Sequence, residues 1–356
     1  MDAWSCVERG VTRLWEVPVI GYADYPREVV EDITRLRRRI EVSGVPCKIA
    51  DSNLLVGTWN IRAFGRVYGE WGENPGSPKR NLRAMAHIAE VIRRFDIVAI
   101  QEVKRDMSGI RLLLEEFLGP EWGLVLSDVT AGDEGNAERL AFIYDGRRVQ
   151  PSGLAGEIVL PPTDGRDPAQ QFARTPYIVG FRCACERFAL LTAHIKYGTV
   201  PKDRLEELQA MAGHVAREIR DRTRVADVEE TNLVVLGDFN IDKRRDNPLF
   251  QAFVSTGLMV PRQLWGLRTT YNTEPKYYDQ ISWFMGDLDL QYNGRAGVID
   301  FAGAVYKELS LRQMSYRVSD HFPLWIEFIV DRSVEHMART LGLDPAMPDP
   351  LGSVPE

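Results

Sequence analysis

Apolar residues along this chain fall into two patterns that alternate, short unbroken runs and helical stripes, with Gly, Asn and Pro between them. Runs at Leu54–Trp59, Asp96–Ile100, Leu140–Tyr144, Tyr177–Phe181, Phe188–Ala193, Leu233–Leu236, Tyr278–Phe284 and Leu324–Val330 predict buried strands. Stripes at i, i+3, i+4, i+7 predict helices. One runs through Leu82, Met85, Ala86, Ala89 and Ile92, opened by Ser77-Pro78 and closing near Phe95. A second follows Ser108 with Ile110, Leu113, Leu114, Phe117 and Leu118. A third covers Lys202 to Ile219, with Leu205, Leu208, Ala212, Val215 and Ile219 inward. A further helix from Pro26 to about Glu41 carries Arg37, Arg38 and Arg39, read as a solvated face. The fold class is α/β, with two sheets, because so many strands exceed one open sheet.

Three zones follow: residues 1–52, a partly helical extension; 53–330, the strand-and-helix body; and 331–356, a tail. The tail holds Pro345, Pro348, Pro350 and Pro355 and is expected to lack regular structure. The extension is open to two readings, a partner-docking or self-association element, or a cap on the core. No run of about 18 apolar residues exists, which excludes a membrane-spanning helix. The chain opens without a basic segment leading into an apolar run, and a cytoplasmic location is expected. Four cysteines are too few for a disulfide scaffold, and Cys183-Ala-Cys185 lacks zinc-ligand spacing.

The informative positions are the polar residues at the ends of the apolar runs. Asn60 and Arg62 follow the first, Glu102 the second, His194 a later one, and Asp238 with Asn240 the next. Tyr278-Asp279 and Asp320-His321 open two more. Taken singly, each reads as a turn former, a helix-start acid or a satisfied core histidine. Together they resemble the way α/β active sites collect residues from several strand ends. Asp238 and Asn240 lie two apart, as do Asn60 and Arg62, so in extended chain each pair faces one side. His87 and His214 on helices, and His336 in the tail, read as solvated surface.

Water attack on a phosphate ester suits this set. A hard divalent cation takes oxygen ligands, which Glu102, Asp320 and Asn60 supply. Asp238, Asn240 and a His–Asp pair provide a base and an orienting group. An amide, an imidazolium and the cation stabilise charge gathering on phosphorus. The net charge of −7 at first disfavours a polyanionic substrate. Only −3 of it falls on residues 53–330, where five acids are site candidates. Acidity therefore does not exclude nucleic acid.

In order along the chain, Gly-Thr-Trp-Asn60-Ile-Arg62-Ala-Phe-Gly, Ile-Gln-Glu102-Val, Ala-His194, Gly-Asp238-Phe-Asn240, Tyr278-Asp279-Gln-Ile and Ser-Asp320-His321 resemble the motifs of the endonuclease/exonuclease/phosphatase superfamily. The details look most like its deoxyribonuclease I branch. The resemblance implies a four-layer α/β sandwich, two mixed β-sheets packed face to face with flanking helices. It implies Mg2+, with Mn2+ or Ca2+ as substitutes, and hydrolysis of phosphate esters. Glu138 is implied to pair with His194, and Asp279 with His321. Arg62, Arg139, Arg174 and Tyr278 are implied to hold substrate phosphates. The branch's cysteine pair and secretory signal are missing, and Asp279 is followed by Gln280, unlike the inositol polyphosphate phosphatases. The leading expectation is a metal-dependent nuclease on DNA. Hydrolysis of a small phosphoester (a phosphosugar, lipid headgroup or signalling nucleotide) is the alternative. A catalytically inactive binding protein is the third, disfavoured because no expected ligand or histidine is missing.

Overall fold

Eight apolar runs of the sequence become the interior strands of two sheets in a computed structural model, which describes residues 20–130, 135–160, 172–198, 200–216, 232–286 and 288–354. The strands are β1 (Asn53–Phe64), β2 (Ile97–Lys104), β3 (Trp122–Leu126), β4 (Glu138–Asp145), β5 (Val149–Glu157), β6 (Tyr177–Cys183), β7 (Glu186–His194), β8 (Leu233–Asp238), β9 (Leu258–Met259), β10 (Asp279–Phe284), β11 (Gln291–Val298) and β12 (Leu324–Ile329). One sheet has the order β11-β12-β1-β2-β4-β3, the other β5-β6-β7-β8-β10-β9. Both are mixed: β1 runs parallel to β2 and β7 to β8, the other pairs antiparallel.

The inner faces meet in one apolar layer. Leu54, Val56, Ala99 and Phe142 of the first sheet pack with Val179, Phe181 and Leu190 of the second. Phe142 meets Phe181 at 5.5 Å between ring centroids, and Trp283 meets Phe328 at 6.1 Å. Successive strand residues face opposite ways, so Leu55, Trp59, Val98, Ile100 and Ile143 turn outward. Helices α1 (Arg27–Val42), α2 (Leu82–Ile92) and α3 (Ser108–Leu112, continued as a π turn over Leu113–Leu118) cover that side. The outer face of the second sheet is covered by α4 (Pro201–Ala210, continued as a π turn over Met211–Ala216) and α5 (Pro248–Val254). Helix, sheet, sheet, helix: the chain is a four-layer α/β sandwich. No helix among the described residues is long and apolar enough to cross a membrane.

Several sequence expectations change. The α2 cap is Asn81, whose side chain accepts from the Ala84 N–H, not Ser77. The chain before it is held extended, with Tyr68 N–H donating to Arg80 O at 2.8 Å, and cannot yet turn helical. His87 is fully buried, not solvated, with Nε2 at 3.2 Å from the buried Asp32 carboxylate and its ring edge-on to Tyr306. The tail forms a helix, α6 (Ser333–Thr340), whose Ala338 is buried. Arg37 is not wholly solvated, since it pairs with Glu90 at 2.7 Å. The third helix is described through Ala216, so Ile219, the side chains of His214 and Val215, and also Cys6 and Pro355, lie outside the described residues.

Within the extension, α1 buries Val29, Ile33, Leu36 and Ile40 in the same apolar cluster as α2 and α3. Full burial of such side chains contributes roughly 1.5–3 kcal/mol each. Leu36→Ala should therefore lower the unfolding free energy by about 2–4 kcal/mol in a urea titration. A loss below about 0.5 kcal/mol, the size of an ordinary surface substitution, would show that the extension is not part of the folding unit.

Candidate active site

Strand register sets the first row of candidates. In the second sheet His194 lies opposite Asp238 in the parallel β7–β8 pair, and Asp238 opposite Asp279 in the antiparallel β8–β10 pair. Three candidates thus stand side by side on adjacent strands. Gly237 makes this approach possible: its φ is 139°, and a Cβ there would lie 2.2 Å from Ala193 O.

The first sheet faces this row with Asn60 and Glu102. Alternation along β2 would send Glu102 outward with Ile100. Instead Glu102 adopts φ 63°, and the register shifts on both of its neighbours. That turn brings its Oε1 to 3.0 Å from Asn60 Nδ2, while its Oε2 accepts from Ala63 N–H at 2.8 Å. Asn60 Nδ2 also donates to Asp238 Oδ2 at 2.9 Å, joining the two sheets through one amide. One pleat behind, Gln101 Nε2 donates to Thr58 Oγ1 and Thr192 Oγ1, a second buried bridge between the sheets. Ser319 ties in the chain that leads to β12, donating to Asn60 O at 2.6 Å and accepting from His321 N–H at 3.0 Å.

Asp238 Oδ2 is the focus. Besides Asn60, it faces His194 Nε2 at 3.6 Å and His321 Nε2 at 3.8 Å. Each imidazole is backed at Nδ1 by a carboxylate, Glu138 at 3.1 Å and Asp279 at 2.8 Å, the second a well-aligned hydrogen bond. Burial pushes the Asp238 carboxyl up, but the two histidines, Asn60 and the Asn240 N–H outweigh it and hold it below the usual range. Burial likewise opposes charge on His321, and Asp279, Asp238 and Asp320 overcome it, so its proton is held well above the ordinary imidazole range. Burial raises Asp279 to about 6. Glu138 feels burial too, yet His194, Arg174 and Lys104 bring it down to about 2.

Asn240 is near Asp238 for a different reason from the extended spacing expected. Its φ is 51°, its N–H donates to Asp238 Oδ1, and its Nδ2 donates to Ile195 O at 2.6 Å. Asp320 is a third exposed and 3.3 Å from Arg62 Nη1, which also donates to Ser315 Oγ and lies over the Tyr316 ring. Arg174 Nε is 2.6 Å from Glu138 Oε2, and its buried Nη1 has no hydrogen-bond partner among the described residues. Tyr278 is buried beside the His321 ring, edge-on to Tyr197. Arg139 is not brought to this group. It neighbours Glu138 on β4 and so turns to the opposite face, reaching the Arg105 carbonyl. Sequence reasoning missed Ser319 and also Lys104, whose Nζ is 2.8 Å from Glu138 Oε1. Ser319 opens the quoted Ser-Asp320-His321 motif and Lys104 directly follows Ile-Gln-Glu102-Val, which is the only local signal they carry.

Among the described residues, Asp238, Asp279 and His321 are close enough to share an ion. His321 Nδ1 is already bonded to Asp279 Oδ2 and its Nε2 faces Asp238 Oδ2, and a protonated imidazole has no lone pair to offer a cation, although Asp279 Oδ1 has no hydrogen-bond partner among the described residues. Asn60, Glu102 and Asp320 fit a hard cation better. All offer oxygen, and Asn60 Oδ1 is buried without a hydrogen-bond partner among the described residues.

A family model described as the Endonuclease/Exonuclease/phosphatase family matches residues 57–321. A protein named deoxyribonuclease from Thioalkalivibrio sp. (strain K90mix) is 28% identical over 294 residues, 78% of this chain and 71% of that one. Deoxyribonuclease gamma of Rattus norvegicus is 24% identical over 319 residues, 80% of this chain and 88% of that one. The human Nocturnin catalytic domain shares the fold at 15% identity, with a TM-score of 0.51 over 79% of this chain and 95% of that one. The match takes in every strand from β2 to β11 and most of β1, and the chain belongs to the endonuclease/exonuclease/phosphatase family.

Proposed function

We propose that the chain is a divalent-metal-dependent phosphodiesterase that hydrolyses DNA. One observation carries the hydrolytic reading: two imidazoles, each backed by a carboxylate, converge on the single buried oxygen Asp238 Oδ2. In this reading Asp238, held anionic, accepts the proton of the attacking water. Asn240 helps fix that water, through a backbone anchored to Asp238. His321 keeps its proton and donates to a phosphoryl oxygen as negative charge gathers there, with Asp279 fixing its ring. Glu138 orients His194 in the same way. Glu102, Asp320 and Asn60 would hold the cation, which when bound supplies Lewis-acid stabilisation of phosphoryl charge.

The DNA part rests on the two relatives named deoxyribonucleases and on Arg62 and Arg174 beside the site acids Asp320 and Glu138. Arginine's planar fork suits phosphate oxygens. The turning away of Arg139 leaves two such arginines, which is what a small phosphoester needs, and keeps that alternative open.

Purified protein with Mg2+ tested on plasmid, oligonucleotides and small phosphoesters decides between them. DNA cleavage should appear, and Glu102→Gln should lower kcat/KM by about 100-fold or more at limiting Mg2+. Arg174→Ala should cost more on an oligonucleotide than on a chromogenic phosphodiester, with a shallower salt dependence. Rapid turnover of a small phosphoester without DNA cleavage would overturn the DNA assignment.

Glu138 also links the site to stability. Its carboxyl is held down to about 2, so its ion pairs stabilise the fold fully above the unfolded value, near 4.5. That contribution is lost as pH falls from about 5 towards 2. Glu138→Gln should therefore be less stable than wild type at pH 7, by on the order of 2 kcal/mol. The gap should narrow steadily as urea titrations are repeated at lower pH. A pH-independent gap would mean that the charge of Glu138 is not what matters.

A further inference from the structure

Arg80 is 3% exposed and has no ion-pair partner among the described residues. Its guanidinium donates instead to four main-chain carbonyls: Nε to Arg317 O at 2.8 Å, Nη2 to Arg62 O at 2.8 Å and Val318 O at 3.1 Å, and Nη1 to Ala63 O at 3.2 Å. The buried Arg244 is held in a similar way, by the Leu264 and Asp279 carbonyls and the Gln280 side chain, but other largely buried arginines meet acids. Arg83 pairs with Asp32 and Glu308, and Arg148 with Asp96. A buried cation without an acid beside it is costly to keep unless its surroundings make use of it.

The four carbonyls belong to just two segments, and each leads to a candidate cation ligand. Ala63, whose carbonyl Arg80 holds, has its own N–H on Glu102 Oε2 at 2.8 Å and sits at φ 45°. Arg317 and Val318 run directly into Ser319, which bonds Asn60 O, and then Asp320. The charges that Arg80 feels through space include Glu102 and Asp320, which oppose the effect of its burial. Two carboxylates gathered at one site repel each other until a cation arrives. A fixed positive charge behind them lowers that repulsion.

We propose that Arg80 is a positioning residue for the cation site: it staples the Arg62–Ala63 and Arg317–Val318 segments so that Glu102 and Asp320 stand at ligand spacing before the ion binds. This rests on the reading that Glu102 and Asp320 hold the cation. Lysine keeps the charge but lacks the planar fork that reaches four carbonyls in two segments.

The test is Mn2+ binding to the full chain without substrate, followed by the electron paramagnetic resonance of free Mn2+, beside thermal unfolding without metal. Arg80→Lys should stay folded, yet raise the Mn2+ Kd at least about tenfold and shrink the rise in Tm that Mn2+ produces in wild type. Arg83→Lys, which loosens a largely buried arginine away from the site, should leave Mn2+ binding near wild type. Wild-type Mn2+ affinity in Arg80→Lys, or an equal loss in Arg83→Lys, overturns the proposal by reducing Arg80 to a general stabiliser. If Arg80→Lys does not fold, Phe64→Leu carries the same criterion, because it removes only the ring beside which the guanidinium lies. Should wild type bind no Mn2+, or Glu102→Gln bind as tightly as wild type, the cation-site reading fails first and this inference falls with it.

Discussion

A carboxylate buried between two sheets is the constraint on which this molecule turns. Asp238 is 1% exposed, and an unpaired charge at such depth would cost several kcal/mol. Its compensation comes from both halves of the sandwich: the Asn60 amide from the first sheet, His194 and the Asn240 N–H from the second, and His321 from the chain leading back into the first. No single sheet could neutralise it. The two sheets must therefore meet in one alignment, and the Thr58–Gln101–Thr192 bridge one pleat away penalises any other. Fold and site are two consequences of the same polar contact, set into an apolar interface that has no directional preference of its own.

What the sequence made legible divides along a physical line. The eight apolar runs became the eight interior strands, while β3, β5, β9 and β11, which no run announced, are the four sheet edges. Interior strands are paired on both sides and buried on both faces, so their sequences read as continuous apolar segments. Edge strands such as Val149–Glu157 and Gln291–Val298 alternate buried or half-buried with exposed positions and carry Gly, Pro and charge. Their pairing is dictated by the neighbour and not by their own composition.

The site divides in the same way. Residues at strand ends were found because an abrupt change from apolar to polar is a local signal. His87 was misplaced because its burial depends on Asp32, fifty-five positions earlier in the chain, and on Tyr306, and the helical stripe shows neither. Arg139 and Arg80 show the same limit from opposite sides. Adjacency to Glu138 suggested proximity where strand alternation gives separation, and carbonyls of two segments far apart in sequence surround a buried arginine that no motif announces.

The left-handed backbone at Glu102 has a consequence for how such a chain would change over generations. A non-glycine residue at φ 63° holds roughly 1 kcal/mol or more of strain that glycine would relieve. Thermodynamic robustness and chemical competence thus pull this one position in opposite directions. A lineage relieved of any demand on that carboxylate would gain by surrendering the glutamate.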